Sequence, residues 1–377
     1  TVTMNRPRTV TAVFGLNGGE TKTWAAGTND WTLQANWSPG GVPALLDLAV
    51  IGSGSVTLAE SPRIAALWVT NSGRLNTPLG ANVSLLVPGS MLVSGATAQV
   101  TLNGGQLTVG VDLLLGGAAS LSVTSGVTNA STPDYGALVA AGRDIRVASG
   151  CWIYPQSQNT NGGSVLFRMR DLEIAAAGGM DANGRGFRGG LAPQDVGGPT
   201  VGWGYGRGDF GNGGGYGGVG GRASPPFGQT YGSVSNPVHP GSGGGGNGGN
   251  PGRIGGNGGG LIRIEATRVV RILGTLQADG NPGGGDYGTG GGSGGGVYIR
   301  CKTIEGDGLL SADGGAGHSA GGGSAGGGGR IAVWRVTHRF TGTGTVDRGS
   351  TVTSPAAATG TIYWGNSPPM GTTFTIQ

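Results

Sequence analysis

Glycine constrains this chain more than any other residue: 88 of its 377 positions are Gly, and they are gathered into runs such as Tyr216-Gly-Gly-Val-Gly-Gly-Arg222 and Asn247-Gly-Gly-Asn-Pro-Gly-Arg253. The usual share is near 7%. Each helical Gly costs about 1 kcal/mol relative to Ala, so a helix-rich fold is excluded. Collagen is excluded as well, because the glycines do not recur at every third residue throughout and only 19 prolines are present. A chain that is 36% hydrophobic with repeated β-branched alternation can still bury enough apolar surface to offset the entropy of ordering. The expectation is a folded, β-rich and elongated molecule.

Short period-two segments follow one another through the first half: Ala49–Ile51, Ser55–Leu58, Ala66–Val69, Val83–Val87, Gln99–Leu102, Gln106–Val109 and Ser120–Val123. Gly, Asn, Ser and Pro separate them, and hairpin-type Asn-Gly turns are missing between most of them, which favours a parallel solenoid over a sandwich. The second half repeats more clearly. A Gly pair leads into a strand at Gly259–Ala266, Gly295–Lys302, Gly328–Trp334 and, more distantly, Gly162–Arg170. A second signature, Met180-Asp-Ala-Asn-Gly184, recurs as Leu276-Gln-Ala-Asp-Gly280 and Leu310-Ser-Ala-Asp-Gly314, with Ala278 and Ala312 34 residues apart. Alternation turns Val297, Ile299 and Cys301 inward and Tyr298, Arg300 and Lys302 outward. Within the Gly runs X-Gly-Gly returns every three residues. That is the period of a polyproline II helix, and without Cβ atoms such strands can pack as a polyglycine bundle.

The net charge of +4 is small and spread along the chain, which argues against a nucleic-acid partner. No apolar run approaches the length of about 20 residues that crosses a bilayer. Cys151 and Cys301 lie far apart with no His nearby, so a zinc site is not indicated; they are structural, either paired or simply buried. The chain begins at Thr1 rather than Met, which reads as a piece of something longer.

Little in the sequence carries chemistry. Asn183, Asp279 and Asp313 hold equivalent places in the repeat, each followed by Gly, and Asx-Gly is what a tight turn demands. Stacked at about 4.8 Å per coil they would form a ladder, on which Asp279 and Asp313 are the candidate ligands for a Ca²⁺, with a catalytic acid pair as the lesser reading. No Gly-Lys pair exists for a P-loop, and His239, His318 and His338 are scattered. The insertion instead holds aromatic residues, Trp203, Tyr205, Phe210, Tyr216, Phe227 and Tyr231, interleaved with Arg207 and Arg222. Flat rings on a Gly scaffold suit a glycan or another protein, and suit equally the packing of Gly loops onto a body. Asn36, Asn82 and Asn129 lie in N-x-[ST] triplets.

The stretch Trp31-Thr-Leu-Gln-Ala-Asn-Trp-Ser-Pro-Gly-Gly-Val-Pro43 followed by Asp47–Ile51 resembles the start of secreted bacterial parallel β-helices of the autotransporter-like and exosortase-sorted types. Residues 1–14 resemble the end of an internalin-type B repeat. These resemblances imply an all-β, right-handed parallel β-helix with polyglycine II-like insertions, located outside the cell or on its surface. The expected organisation is the end of a preceding β-repeat module (1–20), an N-terminal β-helix with a Trp-rich cap (21–175), a glycine-rich insertion (176–260), C-terminal β-helix repeats (261–340) and a β-rich tail (341–377). The expected role is a non-catalytic structural or adhesive module, its partners further copies of itself or an extracellular glycan. A glycan-active lyase or hydrolase on the same scaffold is the alternative.

Overall fold

The computed structural model describes residues 18–128, 134–191, 200–222, 224–248, 252–350 and 356–367; the internalin-like segment and Asn129 lie outside them. The described residues form an all-β parallel β-helix. Ten coils each place a strand in a first sheet and then in a second, and the last eight add one in a third, so that sequence-distant strands become neighbours. The first coil carries a short 3₁₀ turn, Gln34–Asn36, before Trp37–Ser38 runs antiparallel to Thr21–Trp24.

Alternation decides what faces in. On the first sheet the register stacks Leu67, Met91, Leu113, Ile145, Leu172, Val270 and Ile304 on successive coils, all of them buried. Each such side chain contributes about 1.5–3 kcal/mol when fully buried. At the N-terminal end Trp37 packs edge-on against Trp24 and Trp31, with ring centroids at 5.1 and 4.8 Å, and donates its indole N–H to the Trp31 carbonyl at 2.9 Å.

The four Gly-pair segments of the sequence are consecutive strands of the third sheet: Val165–Met169, Leu261–Ala266, Gly296–Arg300 and Arg330–Arg335. The Ala-Asx-Gly segments likewise follow consecutive strands of the second sheet, Gly179–Asp181, Thr275–Gln277 and Leu309–Ser311. All the glycine-rich excursions therefore leave from the corner between these two sheets and return to it.

Outside that corner the runs build a polyglycine II bundle. Along the central run the amides rotate through three neighbours with a period of three. Gly290 and Ser293 donate to Gly245 and Ser242, Gly291 and Gly294 to Ser324 and Gly327, and Gly292 and Gly295 to Asn281 and Ala278, at 2.7–3.0 Å. Its carbonyls accept in turn from Gly256, Gly259, Gly214 and Gly315. Glycine is required by space here: a Cβ on Gly290 would lie 2.0 Å from the Asn212 carbonyl oxygen.

Candidate functional site

The aromatic residues of the insertion divide into two groups. Tyr205, Tyr216 and Tyr231 come together with Phe187 and His239 where the bundle meets the third sheet. Tyr216 and Tyr231 lie 4.7 Å apart by ring centroids, Tyr205 and Tyr231 5.3 Å, and Tyr205 and His239 5.2 Å. The Tyr231 hydroxyl donates to the Pro240 carbonyl and accepts from Ser242 Oγ at 3.0 Å. Burial pushes both the Tyr216 and Tyr231 phenols up and the His239 imidazole down, so all three are neutral at physiological pH.

Arg330, the first residue of its strand, locks this cluster to the β-helix. Its guanidinium lies 5.4 Å over the Tyr216 ring and donates to the carbonyls of Tyr231 (2.9 Å) and Tyr216 (3.3 Å) and to Thr361 Oγ1 (3.0 Å). Burial lowers its affinity for the proton, against the nearby tyrosines. Trp203 sits apart, under the Arg188 guanidinium at 4.6 Å, and Phe227 is half-buried on a turn. Tyr205 and Phe210 are the exposed members, at 60% and 62% of their surface. The arrangement makes Tyr216 and Tyr231 packing residues and leaves Tyr205 and Phe210 largely in solvent.

The Asx residues do stack. Asn183 Oδ1 accepts the Asp279 amide at 2.6 Å, Asp279 Oδ1 accepts the Asp313 amide at 2.7 Å, and Asp313 Oδ1 accepts the Asp347 amide at 2.6 Å. Ser311 Oγ also donates to Asp279 Oδ1, and Thr345 Oγ1 to Asp313 Oδ2. Burial raises the Asp279 carboxyl above its ordinary value, opposed by these hydrogen bonds. Asp279 Oδ1 and both carboxylate oxygens of Asp313 are thus engaged in coil-to-coil hydrogen bonds. Among the described residues no group of three or more His, Cys, Asp or Glu converges. Cys151 and Cys301 are both free and buried, and burial pushes the Cys301 thiol up to about 12.

A feature not legible along the chain is a groove of about 710 Å³ at the corner between the third and first sheets, crossing five coils from Val109 to Arg300. Its outward residues on the third sheet are Thr108, Ala140, Arg168, Glu265 and Arg300, in register on successive strands. Gly110 and Gly142 turn the corner tightly; a Cβ on Gly142 would meet the Gly110 oxygen at 2.2 Å. Beside them runs a basic column joined by backbone hydrogen bonds, Arg143, Arg170, Arg268 and Lys302. Aligning the coils at their pitch, rather than reading residues in sequence, is the signal that brings these side chains together.

No protein-family model, curated protein or solved structure matches the chain.

Proposed function

We propose that the chain is a non-catalytic structural and adhesive module of a large extracellular bacterial surface protein, with glycan or further copies of itself as partners. The observation that carries this reading is the use made of the corner excursions. Loops on a rigid scaffold are where binding and catalytic side chains usually sit. Here the excursions are spent on glycine runs whose amides bond to one another, giving a stiff lateral layer that presents few functional groups. The resemblance of residues 31–51 to the start of secreted bacterial β-helices supports the extracellular assignment.

The test is incubation of the purified chain with a panel of neutral and acidic polysaccharides, followed by assays for binding and for new chain ends. Electron microscopy over a range of concentration reads self-association in the same samples. Binding or ordered assembly without cleavage is expected. Turnover of any polymer would replace this reading with the glycan-active enzyme.

A further inference from the structure

We propose that the groove between the third and first sheets binds a linear anionic polysaccharide laid along the β-helix axis. This deepens the adhesive part of the reading above and rests on it.

The charge around the groove is arranged asymmetrically. Three arginines, Arg168, Arg170 and Arg300, line it against one carboxylate, Glu265. The acidic groups of the corner are already engaged in ion pairs. Asp144, whose side chain is 4% exposed, receives Arg146 at 2.9 Å and Arg170 at 2.8 Å, and Asp171 receives Arg170 at 3.1 Å. Glu265 is shared between Arg168 at 2.8 Å and Arg263 at 3.2 Å. Arg300 and Lys302 are exposed and have no ion pair among the described residues, while Arg143 and Arg268 hold only long contacts, 4.0 and 3.9 Å, and are more than half exposed. The groove thus presents unpaired or loosely paired cationic groups, while its carboxylates are taken up in ion pairs.

Shape selects an extended polymer. Five coils at about 4.8 Å each make a trough of about 19 Å that is open along its length. Its surface is methyl- and hydroxyl-bearing, from Thr108, Ala140, Ala266 and Thr267, and no aromatic ring lines it among the described residues. A single-stranded nucleic acid would need ring platforms for its bases. A sugar acid polymer needs repeated cations over a smooth floor, which the groove supplies.

Affinity electrophoresis through gels containing polygalacturonate, dextran sulfate or neutral dextran tests the proposal, with a fluorescent single-stranded oligonucleotide as competitor. The wild-type chain is expected to be retarded by the anionic polymers and not by dextran, with retardation falling as salt rises. Whether polygalacturonate or dextran sulfate binds more tightly distinguishes carboxylate from sulfate recognition. Arg300→Glu combined with Lys302→Glu is expected to weaken binding at least tenfold. Arg74→Glu, an exposed position on the second sheet, is expected to leave it unchanged. Equal thermal midpoints show that all three proteins are folded. No retardation of the wild type, or equal retardation of the double variant, would overturn the groove while leaving the structural module intact. Tighter binding of the oligonucleotide would overturn the glycan assignment. Cleavage of a bound polymer would refute the non-catalytic reading and leave the groove standing.

Discussion

Replacing Gly326 by Ala tests whether the glycine layer is close-packed. An ideal Cβ at Gly326 lies 1.9 Å from the Gly292 oxygen and 2.4 Å from its carbonyl carbon. Ordinary contact begins near 3.4 Å, so the two runs would have to part by about 1.5 Å. The hydrogen bonds that join them, Gly291 to Ser324 and Gly294 to Gly327, are 2.9 Å long and would not survive that separation. Two buried pairs lost at about 1–3 kcal/mol each come to about 4 kcal/mol. The smaller entropy of the unfolded Ala chain returns about 0.4–1 kcal/mol, leaving a net loss of about 3 kcal/mol. Gly284 is the internal control, because it sits in the same type of run with its nearest neighbour, the Ile254 oxygen, at 3.5 Å. Gly284→Ala is therefore expected to be neutral or slightly stabilising. Hydrogen exchange read by mass spectrometry over residues 286–300 should show Gly291 and Gly294 exchanging about a hundredfold faster in Gly326→Ala and unchanged in Gly284→Ala. Identical exchange and unfolding midpoints for both variants would refute close packing of the bundle.

Two further perturbations probe the ladder and the junction. Asp279→Asn keeps the Oδ1 acceptor, as Asn183 does one coil earlier, and removes a charge that burial disfavours. Since the folded carboxyl is raised above 3.8, the stability it contributes is present below that value and is lost as pH rises through the folded one. Thermal midpoints against pH should therefore show the Asn variant gaining on wild type as pH rises, whereas Asp279→Ala, which strands the Asp313 amide, loses about 2 kcal/mol at every pH. Arg330→Met should cost about 2 kcal/mol in denaturant titrations by leaving the Tyr231 carbonyl without its donor, and an unchanged midpoint would show that the junction does not depend on it.

The solenoid was legible where outward residues are polar. Segments such as Gln99–Asn103 and Ser120–Thr124 alternate cleanly and are strands. Arg74–Asn76, Met91–Ser94 and Leu113–Gly116 were not read, although each belongs to the same coils. In the latter two the outward residues Leu92 and Leu114, in register with each other, are apolar. An apolar residue on the outer face weakens the period-two signal that marks a strand, although Ala66–Val69 with its outward Trp68 was still read. The aromatic trio was visible as composition, but its partner Arg330 lies 99 residues from Tyr231 in the chain and is brought to it only by the fold. The groove was hidden for a related reason. Arg168 meets Glu265 across 97 residues because the insertion intervenes, so no local window contains both.

Glycine runs of this length would not order by themselves, since Gly loses more conformational freedom on folding than any other residue. What changes the balance is that the β-helix pins both ends of each excursion to adjacent strands, at Gln277 and Gly296 and again at Ser311 and Arg330. Loop closure then spans 18 residues in each of these two excursions, and because its cost grows only with the logarithm of length it rises by little in the longer one between Asp181 and Leu261. Once placed, each run finds neighbours on all sides, and the amides from Gly290 to Gly295 are all bonded. The bundle is thus a consequence of the solenoid's repeat rather than an independent fold. Larger side chains return where backbone-only packing must be joined to a sheet: Arg330 donates into the Tyr216 and Tyr231 carbonyls, and the Trp334 indole donates to Ser235 at 2.7 Å. The aromatic cluster is that joint, its buried members packed between bundle and sheet and Tyr205 at its solvent edge.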